Sequence, residues 1–374
     1  MTKPSLLELP AGVQLVYLAE GGANVIYRFV AAPTKSRVPV KKDPRRALSP
    51  VTIDPLDHGG LPARLTGKLL RLRKETAADL SYTEIVHNFN TIVRPLFKPE
   101  ELVDQTLIRL PEGLLQRCNE QLRIAERNGT RPKKRHGGYL CPKEPFGLLI
   151  TDMTTTNDPG ATLAELKPKW LTQSPSAPST AHRCRTCALR EMKNHDARSL
   201  GLREQRSFCP LDLVSERFEN VRRAADFIRD CHNPTRLAQI LFRNPTLQNL
   251  QSQQKSWGKV GLYGPPALSQ KASLDMTLRD CTMFIKVCPR TLNLSLGPFA
   301  DTNIAQIPHD ERSPVEIRLG DLDLKTGAGG KAQYWRDLEL QLINGGWYRG
   351  SNSSQDPSEC ALQYPRDMKT TRHE

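Results

Sequence analysis

At 374 residues the chain is long enough for two domains with a sizeable core. A hydrophobic share of 38%, a mean hydropathy of −0.51 and the absence of any run of about 18 apolar residues exclude a membrane-spanning protein. A formal charge of +14 predicts a polyanionic partner: nucleic acid, an anionic surface or a heavily phosphorylated small molecule.

The opening "MTKPSLLELPAG" has too short an apolar segment for a secretory signal. The expectation is therefore an intracellular protein whose nine cysteines are reduced. Residues 13–30, "VQLVYLAEGGANVIYRFV", read as strand, glycine turn and strand. Residues 33–63 are rich in Pro, Arg, Lys and Ser and read as a loop or insertion. "GKLLRLRK" (67–74) reads as a third strand, with Leu70 and Leu72 on one face and Arg71 and Arg73 on the other. "SYTEIVHNFNTIVRPLF" (81–97) has helical spacing, and "GLLITDMT" (147–154) is an apolar strand running into a connector. Beyond a Ser/Pro loop at 172–180 lies a basic stretch to 232, with a helix predicted over 214–231. "DCTMFIKV" (280–287) and "VEIRLGDLDLK" (315–325) are predicted strands, and 332–345 a helix closed by glycines. The organisation is α+β and two-lobed: a strand-rich part over 1–150 and a larger mixed part over 151–374.

Several groups carry chemistry. In "ELKPKW" (165–170) two lysines flank a proline. In extended backbone Lys167 and Lys169 point the same way, and Pro168 disfavours helix between them. "EGGAN" (20–24) is an ordinary hairpin turn on its own, but Arg71 on the next strand adds the cation that phosphate-cradling loops use. Asp280, at the mouth of a predicted strand, and Asp321 with Asp323, after another, suit orienting a hydroxyl or holding Mg²⁺. "HRCRTC" contains the pair Cys184 and Cys187 with His182 and His195 nearby, a zinc spacing. No second pair follows it, and Cys209 stands alone in "FCPLDL". Arg190 and Lys193 share a helical face, and "RPKKRH" (131–136) is a further basic run.

In this order, "EGGANVIYRF", "GKLLRLRK", "LLITDMT", "ELKPKW", "CRTCALREMK", "CPLDL", "RDCTMFIKV" and "GDLDLK" resemble the inositol-pentakisphosphate 2-kinase family, most closely its fungal-type members. The resemblance implies a kinase-like fold with an antiparallel-sheet N-terminal lobe and the active site in the cleft. It implies transfer of the γ-phosphoryl of ATP to the 2-hydroxyl of inositol 1,3,4,5,6-pentakisphosphate, giving inositol hexakisphosphate, with Mg²⁺ required. By position, Glu20, Gly21, Gly22, Ala23 and Asn24 form the nucleotide loop, Arg71 holds ATP phosphates, and Asp152 and Met153 contact adenine. Lys167, Lys169, Arg185, Lys193, Lys325, Lys331 and Tyr334 hold the inositide. Asp280 activates the hydroxyl with Lys167 beside it, and Asp321, with Asp280, holds the metal.

The resemblance leaves two arginines, Arg131 and Arg135, for the one that bridges the lobes. The plant members' zinc motif of two His and two Cys has no counterpart, so a structural zinc is not expected. The family's helix histidine is Leu189 here. A monomer, in the nucleus and/or the cytoplasm, with no membrane partner and no requirement for nucleic acid, completes the expectation. The rival from another class is a basic nucleic-acid-binding protein organised by a Cys-x-x-Cys zinc site, and a third reading is an inactive scaffold of the same fold.

Overall fold

The computed structural model describes residues 7–10, 13–31, 51–52, 61–75, 80–156, 158, 160–229, 233–257, 262, 269–288, 314–327, 330–350 and 360–363. The loop predicted over 33–63 lies outside these, apart from residues 51–52 and 61–63. Among the described residues the fold is mixed, with ten strands in two sheets and eight α-helices. The chain divides into two compact units, Met1–Thr91 with Val103–Asp152, and Ile92–Leu102 with Met153–Glu374. No helix among the described residues is long and apolar enough to cross a membrane.

The first unit is built on seven strands: β1 (Leu7–Glu8), β2 (Val13–Glu20), β3 (Asn24–Ala31), β4 (Val51–Thr52), β5 (Lys68–Arg73), β6 (Gln105–Arg109) and β7 (Phe146–Thr151). Their order is β1-β6-β7-β5-β3-β2-β4. Every pairing is antiparallel except β1 with β6. Strand alternation sends neighbouring residues to opposite faces. Leu70, Leu72 and Leu149 join Leu15, Val25 and Tyr27 against Leu114, Cys118 and Leu122 of α2 (Leu114–Arg127). Leu148 instead joins Tyr82 and Ile85 of α1 (Tyr82–Asn88). Burying such side chains contributes about 1.5–3 kcal/mol each, and these two helices cover the sheet on both sides.

Helix α1 begins at a capping box, Ser81 with Glu84. It stops well short of the predicted residue 97. The chain turns through a π-helical segment at Phe89–Val93 and a 3₁₀ turn at Arg94–Leu96, because Pro95 has no N–H to continue the ladder.

The second unit holds an antiparallel sheet ordered β10-β9-β8, from β8 (Thr162–Leu166), β9 (Thr282–Val287) and β10 (Val315–Gly320). Around it lie α3 (Arg185–Ser199), α4 (Phe218–Ala225), α5 (Pro234–Leu241), α6 (Pro245–Trp257), α7 (Gln270–Asp280) and α8 (Lys331–Asn344). Register explains why these ends matter. Met283 pairs with both Leu166 and Leu319, and Thr282 with Gly320. The residues that follow Leu166 and Gly320 therefore emerge at the end of the sheet where α7 hands the chain to β9.

Three sequence readings need correction here. Asp280 is the last residue of helix α7, and the strand predicted from residue 280 begins at Thr282. Of the helix predicted over 214–231, the described residues to 229 hold only α4, with Pro210–Val214 in a 3₁₀ turn. Lys167 and Lys169 lie beyond β8, and Lys169 has φ 58°, so their convergence does not come from strand alternation.

Candidate active site

In the first unit the glycine hairpin joins β2 to β3, closed by Gly21 N–H donating to Asn24 O at 2.9 Å. Neither Gly21 nor Gly22 has a positive φ. A Cβ on Gly21 would meet nothing within 4 Å, and one on Gly22 only Arg135 Nη1 at 3.8 Å. Neither backbone geometry nor packing within the unit demands glycine there, so the missing side chains leave room for a group outside the unit to approach the main chain.

Below the turn, Glu20 is held by a buried ion network. Arg131 donates from Nε and Nη2 to its two oxygens at 2.9 and 2.8 Å, and Lys74 Nζ donates to the same carboxylate. Lys74 also reaches Gly21 O at 3.0 Å. Burial raises the Glu20 pKa, but the hydrogen bonds from Arg131 and Lys74 outweigh it and hold the carboxyl below the usual range. A depressed folded pKa means that this contribution to stability is complete above the unfolded value of about 4.3 and is lost as pH falls through the folded one. Replacing Glu20 by glutamine leaves two buried cations short of their counter-ion. We expect a loss of about 3 kcal/mol in denaturant unfolding, with a weaker dependence on acid than the parent. Glu20 thus shapes the turn from beneath, its carboxylate being engaged inside the unit. Arg131 is likewise engaged, with Glu20, Glu126 and Gly138 O.

Arg71 is buried on the α1 face of β5, its guanidinium 5.9 Å from the Tyr82 ring. Tyr82 Oη donates to Arg71 O at 3.2 Å and lies 3.3 Å from Asn24 Oδ1. One hydroxyl therefore ties the end of the hairpin to the strand that carries Arg71. Asp152 N–H donates to Gly67 O at 2.9 Å and Met153 is buried.

In the second unit three lysines meet two aspartates. Lys167 Nζ donates to Asp280 O at 3.0 Å, Asp280 Oδ1 at 3.3 Å and Asp321 Oδ2 at 3.1 Å. Lys169 Nζ reaches Asp280 Oδ1 at 2.8 Å. Lys325 Nζ lies 3.3 Å from Asp321 Oδ1 and 3.7 Å from Asp280 Oδ2. A carboxylate at a helix C-terminus faces the negative end of the helix dipole, so α7 alone is a poor place for Asp280. The lysines reverse that. Burial raises its pKa, but the Lys169 hydrogen bond and the charges of Lys169, Lys167 and Lys325 hold it below the ordinary range. Burial also pulls Lys167 down, yet Asp321 and Asp280 hold it above an ordinary lysine. Asp280 and Lys167 therefore both stay ionised at neutral pH.

The left-handed backbone is concentrated here, with Lys169 at φ 58° and Asp321 at φ 55°. This conformation costs a lysine about 1–2 kcal/mol, and neighbours must enforce it. Gln254 of α6, fully buried, does so: its amide donates to Lys169 O at 2.8 Å and Leu278 O at 3.0 Å while accepting Leu171 N–H at 2.8 Å. Trp170 is sandwiched between the guanidiniums of Arg185 and Arg279, 4.5 and 4.4 Å from its ring.

Beside the lysines opens a cavity of about 820 Å³ lined by Lys167, Lys169, Arg190, Lys193, Arg203, Arg206 and Arg229, against only Glu165 and Glu204 of opposite sign. Arg185 is not on its wall. Its Nε donates to Glu339 Oε2 at 2.7 Å in the interior, and its guanidinium packs on Trp170. Lys331 and Tyr334 sit exposed on the first turn of α8 and do not line the cavity. Asp323 follows β10, with its carbonyl accepting from Thr277 Oγ1 at 3.3 Å. Arg203, Arg206, Arg229 and Gln254 were not singled out from sequence. The first three had a signal, the basic stretch that runs to residue 232, whereas a glutamine in a helix announces nothing.

The family model for inositol-pentakisphosphate 2-kinase matches residues 17–235 and 235–341. The chain belongs to the inositol-pentakisphosphate 2-kinase family. As a member it is an enzyme, a phosphotransferase. It is 28% identical to the inositol-pentakisphosphate 2-kinase of Yarrowia lipolytica, over 76% of this chain and 86% of that protein. It is 25% identical to the one from Debaryomyces hansenii, over 87% and 90%. The matches to the inositol-pentakisphosphate 2-kinase family span both units, so the glycine hairpin and the lysine–aspartate cluster both fall inside the family's extent.

Proposed function

We propose that the protein transfers the γ-phosphoryl of ATP to the 2-hydroxyl of inositol 1,3,4,5,6-pentakisphosphate. The observation that carries this reading is the meeting of Lys167, Lys169 and Lys325 with Asp280 and Asp321 at the rim of a strongly basic cavity. An inositol pentakisphosphate carries roughly 8–10 negative charges near neutral pH, at about −1.5 to −2 per phosphate. A wall with seven cations against two acids supplies the matching field. Lys167, Lys169, Arg190 and Lys193 hold the phosphates, and Asp280 accepts the proton of the attacking hydroxyl, which needs only a carboxylate in reach.

Asp321 and Asp280 are hard oxygen donors that already hold cationic ammonium groups at 2.8–3.3 Å, the donor set Mg²⁺ takes. Bound there, the ion would neutralise charge on the phosphoryl group. In the first unit the side-chain-free face at Gly21 and Gly22, with Arg71, is the place for nucleotide phosphates, and Asp152 and Met153 are the adenine contacts in this reading. The accompanying fold reading is kinase-like and two-lobed, the first unit serving the nucleotide and the second the inositide. With Arg131 engaged inside its own unit, Arg135, beside Gly22, is the candidate for the bridging arginine.

Incubation with ATP, Mg²⁺ and inositol pentakisphosphate, with products resolved by anion exchange, should give a single hexakisphosphate peak and stoichiometric ADP. ATP left intact, together with salt-sensitive retention of DNA, would favour the nucleic-acid-binding alternative, which the family match does not support.

A further inference from the structure

We propose that Cys184, Cys187, Cys209 and Cys360 form a tetrathiolate zinc site that holds the wall of the basic cavity. The four sulfurs all lie within 4.8 Å of one another, and all four residues are buried. Their spacing fits a tetrahedral ion. A tetrahedron with Zn–S near 2.3 Å has edges of about 3.8 Å, and the Cys184–Cys209 and Cys209–Cys360 separations are 3.7 and 3.9 Å. A disulfide requires about 2.05 Å. Four soft sulfur donors with no place left for water make a closed, structural site rather than a catalytic one.

The surroundings are those of thiolates. Cys184 is the N-cap of α3 and Cys187 lies in its first turn, at the positive end of the helix. The Cys184 N–H donates to Cys360 Sγ at 3.1 Å, and Arg190 Nη2 donates to Cys187 Sγ at 3.3 Å. Four thiols lose their protons to solvent when the ion binds, leaving a centre of net charge −2, and these donors offset it. Arg190 Nη1 also donates to the carbonyls of Ser207 and Phe208, at 2.7 and 2.9 Å. The same guanidinium thus supports the centre and fastens the segment leading into Cys209. Leu211, Ala361 and Leu362 close the apolar side. The sequence argued against zinc because Cys184 and Cys187 had no second pair. The fold supplies it from Cys209 and Cys360, which no recognised spacing links.

The consequence reaches the cavity. The helix that starts at the centre carries Thr186, Arg190 and Lys193 along the wall, and the segment fastened to it carries Arg206, Ser207 and Phe208. The ion would fix both relative to each other.

The test is elemental analysis of the purified full-length protein, with zinc release followed on titration of the thiols by a mercurial. One zinc per chain is expected, freed as the four thiols are blocked. Protein grown on cobalt should show the sulfur-to-cobalt charge-transfer and visible bands of tetrahedral thiolate. Cys209→Ser and Cys360→Ser should each lose the zinc, whereas Cys288→Ser, outside the cluster, should keep it. Metal-free protein with four free thiols, a disulfide among these cysteines, iron in place of zinc, or full zinc retention in Cys360→Ser would each overturn the assignment. Because the titration uses unaltered protein, it decides the question even where a variant fails to fold, and it is independent of the kinase reading.

Discussion

Turnover of inositol pentakisphosphate should fall by about 10²–10⁴-fold when Asp280 is replaced by asparagine, the usual loss for a general base. Asparagine keeps the size of the side chain and can still accept from Lys169, so folding and ATP affinity should stay close to those of the parent. The fall belongs in kcat more than in KM, because the carboxylate acts on the reacting proton. The pH profile adds a second reading. Lys169, Lys167 and Lys325 hold Asp280 ionised below the ordinary carboxylate range, near 3.9 for a free aspartate. No acid limb from this residue should enter kcat/KM above that value. A limb near pH 6 would belong to the second ionisation of the substrate phosphates and should persist in the variant. Unchanged kcat in Asp280→Asn would remove Asp280 from the chemistry.

Asp321→Asn should impair activity about 100-fold at ordinary Mg²⁺ and recover part of it as the ion is raised. Loss of about 3 kcal/mol of charge stabilisation corresponds to that factor. Asparagine is a suitable probe because it tolerates the left-handed backbone found at this position, φ 55°, so the variant separates charge from conformation. Alanine there would confound the two. Activity with an unaltered Mg²⁺ dependence would show that the ion is held elsewhere.

Much of the first unit could be read from sequence because its signals are local. The strands read over 13–30, 67–74 and 147–154 lie within one residue of β2, β3 and β5, and within three of β7. The lysine–aspartate cluster was legible as a list of residues but not as geometry. Lys167 and Lys169 do converge on Asp280, yet through a left-handed turn locked by Gln254, and the buried amide that enforces it sits in a helix more than eighty positions away. Asp280 was assigned to a strand because "CTMFIKV" dominates its surroundings, while α7 before it has no clean apolar stripe to announce a helix. Arg185 looked like a phosphate ligand because it is basic and near "KPK". Its partner Glu339 lies 154 positions further on, a distance at which a single sequence carries no pairing signal.

The arrangement around Asp280 has a consequence for how the enzyme idles. Lys169 and Lys167 both donate to one oxygen of Asp280 while Lys325 lies 3.7 Å from the other, so three positive charges stabilise the carboxylate and lower its appetite for a proton. On the proposed function, inositide phosphates would compete for those ammonium groups, so Asp280 would become the stronger base as the acceptor is seated. The same cations would then serve two ends, recruiting a polyanionic acceptor and tempering the base toward water.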